Sequence, residues 1–161
     1  NGTFSISPTG LFIDTETGTI YPYGATPGTY TITYTIPPTG GCGDVHYETQ
    51  VTILSAPEIL DHPVDMSVLY PENAFFDVTA IGDNLTYQWQ VNDGSGWKNI
   101  YDNEVYTGTD TDFLHLTSPD VTMNGYFYRV IVSGTCEPPV TSNPAMLTVI
   151  TKTKYSTYKH Q

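Results

Sequence analysis

Positive charge is what this chain has least of. Its 161 residues include five Lys or Arg against 17 Asp or Glu, a formal net charge of -12. A nucleic-acid binder needs a cationic footprint to neutralise phosphates, so that class is excluded. Insertion into or binding to an anionic membrane surface is disfavoured for the same reason. Long apolar runs are missing too, and no stretch of about 18 apolar residues is present to span a bilayer as a helix. Two cysteines, Cys42 and Cys136, are too few to define a disulfide framework. No window sustains an apolar repeat of about 3.6 residues, which leaves almost no room for helix. Initiator Met and signal peptide are also absent, which suggests a fragment of something longer with its targeting signals elsewhere.

What is present favours β structure. Thr is abundant, and 13 Tyr sit among 14 Gly and 12 Pro, a mixture of strand formers and turn punctuation. Residues 28–36 give the clearest strand: Tyr30, Ile32, Tyr34 and Ile36 fall on one face and threonines on the other. Leu11-Phe12-Ile13 and Thr19-Ile20-Tyr21 flank Asp14-Thr15-Glu16-Thr17-Gly18, a hairpin with Gly in its turn. A boundary falls at Ser55-Ala56-Pro57, after the strand-like residues 48–54. Beyond it, strands are predicted at 66–70, 74–81, 85–91, 97–100, 112–117, 126–133 and 145–150, separated by turn clusters such as Gly82-Asp83-Asn84. The chain therefore reads as all-β, with units at 1–55 and 56–150 and a linker or the start of a further repeat at 151–161. Only about five strands fit into the first unit, fewer than a closed sandwich wants.

Tyr87-Gln88-Trp89-Gln90 is followed about forty residues later by Gly125-Tyr126-Phe127-Tyr128-Arg129-Val130. A Trp in one strand and a Tyr near the start of a later one form the core signature of an immunoglobulin-like sandwich. With Tyr106-Thr107-Gly108, Met123-Asn124-Gly125 and Val132-Ser133-Gly134-Thr135-Cys136, the second unit resembles the immunoglobulin-like repeats of Bacteroidetes surface proteins. Those repeats occur in long adhesins and in gliding-motility and type IX secretion cargo. The first unit resembles a companion repeat of the same proteins through Gly2-Thr3-Phe4-Ser5, Pro8-Thr9-Gly10-Leu11, Asp14, Thr17-Gly18-Thr19-Ile20, residues 28–34 and Gly40-Gly41-Cys42. The resemblance spans about 150 residues and brings no active site with it. It implies a core around Trp89 and Tyr128, with Tyr128 at the tyrosine-corner position. The positions where many immunoglobulin domains carry a disulfide read Phe76 (or Val78) and Val130, so apolar packing must close this core. The companion repeat would supply Cys42 with an upstream partner that this chain does not contain. Pairing of Cys42 with Cys136 is disfavoured, because like poles of tandem domains lie on the order of 25 Å apart.

Catalysis finds no support: His46, His62, His115 and His160 are scattered, and none stands beside a Ser or Cys in a nucleophile motif. His115, between Leu114 and Leu116, reads as solvent-facing. Asp14-Thr15-Glu16 and Asp110-Thr111-Asp112 are partial imitations of a calcium loop that turn chemistry explains equally well, and zinc-type spacing is absent. No cofactor is expected. Trp97, Tyr101 and Tyr106 lie in one turn-rich stretch and are candidates for a glycan-stacking platform; the plainer reading makes Trp97 a cover for the core's edge and the tyrosines rim residues. The expected function is a spacer and adhesion segment of an extracellular or cell-surface fibre, partnered by neighbouring repeats. Alternatives are a carbohydrate-binding accessory module of a secreted hydrolase and a strand-exchanging subunit of a surface assembly. Residues 1–54 are expected to fold poorly alone.

Overall fold

Alternation of Tyr or Ile with Thr along residues 28–36 builds the central strand of the first unit. The structure, a computed structural model, describes residues 2–40 and 43–152, and the chain divides between Ser55 and Ala56. Unit 1 holds β1 (Thr3–Ser7), β2 (Phe12–Ile13), β3 (Ile20–Tyr21), β4 (Gly28–Ile36) and β5 (Val45–Ile53). β4 runs antiparallel between β1 and β5, while β2 and β3 form a separate hairpin. The register sets Phe4 opposite Tyr34 and Ile6 opposite Ile32, so apolar residues gather on one face and threonines on the other. The hairpin is tied to β1, whose Phe4 N–H donates to the Thr15 carbonyl at 2.8 Å. Gly18 is required there: its φ is +74°, and a Cβ would meet the Phe4 ring at 2.9 Å. Leu11, Ile13 and Tyr30 are buried, the Tyr30 hydroxyl donating to the Thr26 carbonyl at 2.6 Å. Coverage stops there, and Ile36, Val45 and Tyr47 at the far end of the sheet are exposed.

Unit 2 comprises β6 (Glu58–Asp61), β7 (Met66–Leu69), β8 (Ala74–Asp77), β9 (Thr79–Ile81), β10 (Thr86–Asn92), β11 (Trp97–Asn99), β12 (Tyr106–Thr107), β13 (Phe113–Leu116), β14 (Phe127–Ser133), β15 (Val140–Thr141) and β16 (Ala145–Ile150). One sheet has the order β11-β10-β14-β16-β7, with β15 also paired to β14; the other has the order β12-β13-β8, and β6 pairs with β9. This is an immunoglobulin-like β-sandwich. Fifteen apolar residues form its core, contributed by inward positions of both sheets as period-two alternation demands.

The core closes on aromatics where a disulfide is missing. Phe76 stacks on Tyr128 at 4.9 Å and lies 6.5 Å from Trp89, and Tyr106 meets Tyr128 edge-on at 6.2 Å. Such pairs add roughly 0.5–1.5 kcal/mol each beyond area burial, so three of them match the few kcal/mol of a cross-link. Trp89 also clamps a crossing segment: its indole N–H donates to the Thr111 carbonyl at 2.9 Å and its backbone N–H to Thr109 at 2.9 Å.

Local order departs from the sequence reading in identifiable places. The predicted strand 74–81 is two strands: the Val78 N–H still bonds the Asp112 carbonyl, in register with the β8–β13 ladder, and from Thr79 onward the chain changes partner, from β13 to β6. β6, bracketed by Pro57 and Pro63, has no clean alternation and was not predicted; neither were the two-residue β12 and β15. A short 3-10 turn, Val121–Met123, is capped by Asp120, whose side chain accepts from the Thr122 N–H. Between β15 and β16, buried Ser142 takes over the ladder: its Oγ accepts the Val130 N–H at 3.0 Å.

Candidate interaction site

Parity along the strands sorts the surface of unit 2 into two outer faces. On the larger sheet, Tyr87, Trp89 and Val91 point inward, which sends Gln88, Gln90 and Asn92 outward beside Arg129 and Ile131 of β14 and Trp97 and Asn99 of β11. Next to them come Phe127 and Met146, a directly opposed pair. Arg129 is the only arginine in the chain. Its guanidinium carbon lies 4.1 Å from the centroid of the Trp97 ring, and its Nε donates to Gln90 Oε1 at 2.8 Å. Gln90 Nε2 donates in turn to Asn99 Oδ1 at 2.7 Å. Ring and amide together hold the guanidinium over the Trp97 ring. Among the described residues the one ion pair is Lys98–Asp93, 3.0 Å, and Arg129 has no carboxylate partner.

The outer face of the smaller sheet is built differently. Ala74, Phe76, Leu114 and Leu116 point inward, so Phe75, Asp77, Phe113 and His115 point outward. Phe75 and Phe113 stack with centroids 5.6 Å apart and planes 16° from parallel, each close to half exposed (46% and 45%). Asp77 sits directly opposite Phe113, and His115, half-buried, opposite Phe75.

The three aromatics singled out in the sequence do not converge. Trp97 lies under Arg129. Tyr106 turns inward, its hydroxyl 3.2 Å from that of Tyr128. Tyr101 projects into solvent at 67% exposure, and no ring contact joins the three among the described residues. Burial pushes both the Tyr128 and Tyr106 hydroxyls above the ordinary phenol range. Phe76, Trp89, Tyr128 and Val130 lie in the core.

The acidic turns are occupied by their own backbone. Asp14 Oδ1 accepts from Thr17 N–H at 2.8 Å and Glu16 N–H at 2.9 Å, which holds the carboxyl below its usual range. Asp102 is lowered likewise by the Thr109 hydroxyl and N–H, and Asp93 chiefly by the Ser95 hydroxyl and Lys98. Of the Asp110–Asp112 stretch, Thr111 Oγ1 is engaged with Gly108 and Phe113. Among the described residues no three His, Cys, Asp or Glu side chains gather as metal ligands, and no helix is long and apolar enough to cross a membrane. Cys136 is a half-buried free thiol; Cys42, His160 and the basic residues after 152 lie outside the described residues.

Sequence reasoning passed over Arg129, Phe75 and Phe113. Each stands one residue out of phase with flanking core residues, and an arginine or phenylalanine at an outward position was the available signal.

No family model matches the chain, and no curated protein matches it. Solved structures do. The five-domain immunoglobulin segment of Sidekick-1 aligns with TM-score 0.54 at 17% identity, over 94% of this chain and 33% of that one. An I-band fragment of titin gives 0.60 at 11%, over 93% and 54%, and the third to fifth extracellular domains of Drosophila OTK give 0.52 at 16%, over 93% and 52%. This chain thus spans a third to about half of those molecules. At such identities the likeness shows a shared fold, that of immunoglobulin-like domains in series.

Proposed function

We propose that this chain is a spacer and adhesion segment of an extracellular or cell-surface fibre built from tandem immunoglobulin-like repeats of the Bacteroidetes adhesin kind. The observation that carries this reading is the placement of two β units in series in one chain, with the acidic side chains of its turns spent on the turns themselves. Asp14, Asp93, Asp102 and Asp120 all hold turns, which leaves outer sheet faces as the working surface. The sequence resemblance of both units to such repeats supports the same reading. In arrays of this kind, stability and reach come from each unit plus its nearest-neighbour interfaces. Neighbouring repeats are the first partners expected.

Small-angle X-ray scattering with light scattering on the dilute chain tests the proposal. An elongated particle of monomer mass is the expected result. A single compact particle, with both units folded into one globule, would overturn it.

A further inference from the structure

The two outer faces of unit 2 each carry exposed apolar side chains among polar ones, and they differ in charge. In a chain with 17 acidic residues, the outward strand positions of the larger sheet carry no Asp or Glu at all. Beside neutral polar residues such as Gln88, Asn92 and Asn99, they carry Trp97, Phe127, Ile131, Met146 and the one arginine. Such a mixture of aromatic, Met and Arg side chains with charge otherwise excluded is what marks the centre of protein interfaces. Arg129 is already ordered by Trp97 and Gln90, and only its Nε is engaged within the chain; the two terminal nitrogens remain available for a carboxylate, which a guanidinium receives in bidentate fashion. The smaller sheet offers the complement: Asp77, exposed and without an ion pair, beside the exposed Phe75–Phe113 stack.

We propose that unit 2 self-associates face to back, the Trp97–Arg129 face of one copy docking on the Phe75–Phe113 face of a second copy, with Arg129 receiving the Asp77 carboxylate. Stacked sheet faces approach to about 10 Å, a distance that long Arg and Phe side chains bridge. Because the two faces differ, the contact is heterologous: each copy keeps a free face for the next, so association runs past the dimer, into an open series or, where the rotation between neighbours closes, a ring. The net charge of -12 opposes close approach, so the Arg–Asp contact sets orientation while ring and thioether contacts supply affinity. The inference needs unit 2 alone and stands independently of any fibre.

Sedimentation velocity of the full chain, taken to millimolar concentration, tests it. The expected result is an average mass that rises with concentration beyond that of a dimer. Arg129→Glu and Asp77→Arg should each weaken association by about tenfold or more, and the double variant carrying both should return to within about threefold of the original. A chain that stays monomeric throughout, a dimer that grows no further, single variants without effect, or a double variant no better than the singles would each overturn the proposal. Circular dichroism checks that every variant is folded. If Arg129→Glu unfolds by freeing Trp97, Asp77→Arg and Phe113→Thr, both at exposed positions, carry the test.

Discussion

Unit 1 and unit 2 are written in the same vocabulary of Thr, Tyr, Val and Ile, yet among the described residues one places three hydrophobic side chains in a core and the other fifteen. The difference lies in what stands opposite the apolar face. In unit 2 each inward residue of one sheet meets an inward residue of the other, so Trp89, Phe76 and Tyr128 are enclosed from both sides. In unit 1 a three-stranded sheet is met by one short hairpin, and only the end near Tyr30 is covered. Alternation makes a strand; a second sheet makes a core. Domains below about 70 residues seldom gain more than a few kcal/mol from one core, and unit 1 ends at Ser55.

Cutting the chain at the boundary should break the comparison most severely. A peptide of residues 1–54 is expected to show no cooperative thermal transition by far-UV circular dichroism, while residues 56–152 melt as a single two-state unit. A sharp melt from the short piece would mean that the hairpin and Tyr30 suffice.

Within unit 2, Trp89→Ala should cost about 3–5 kcal/mol in urea unfolding, since it opens the cavity at the centre and frees the 109–111 segment. Tyr128→Phe should cost about 1 kcal/mol by removing the hydroxyl pair with Tyr106. The same variant should alter the alkaline limb. A phenol raised by burial stays protonated in the folded state, so its contribution is fully present below the unfolded pKa near 10 and is lost as pH rises above it. Tyr128→Phe should therefore make the alkaline loss shallower in pH-dependent melts.

Acidification works in the opposite direction. The folded-state carboxyls of Asp14, Asp93, Asp102 and Asp120 are lowered, so the stability they add is present above about pH 4 and is lost as pH falls through their folded values. Three of the four are in unit 2. Asn substitutions at those three should flatten its acid limb, whereas Asp14→Asn should leave that limb unchanged. Least of all should come from Val45→Thr, an exposed position on the uncovered part of unit 1, expected within about 0.5 kcal/mol in the full chain. A larger loss would show that this end of the sheet is covered after all.

Strand periodicity carried the fold class and most strands, because residues such as Tyr30, Ile32 and Tyr34, or Leu114 and Leu116, declare their face by spacing alone. Strands of two residues declare nothing by spacing, and a strand that changes partner, as 74–81 does after Val78, looks continuous until the partners are known. Grouping Trp97, Tyr101 and Tyr106 rested on nearness in the chain. Parity and chain direction decide nearness in space, and they send Tyr106 to Tyr128 and Trp97 to Arg129. Those pairings bridge 22 and 32 positions of sequence respectively, beyond what a local pattern conveys.

The pairing of β7 with β16 has a mechanical meaning. These two strands run parallel, with four residue pairs from Met66–Leu147 to Leu69–Ile150, and the Tyr70 N–H extends the ladder to the Ile150 carbonyl at 2.8 Å. Strands running parallel put the start of one and the end of the other at opposite ends of the ladder. Tension drawn between those two points slides the strands along each other, and every rung resists together. The same force applied across the ladder would peel it one rung at a time. For this unit, resistance to stretching is therefore a matter of direction, set by the path of the chain more than by the depth of the core.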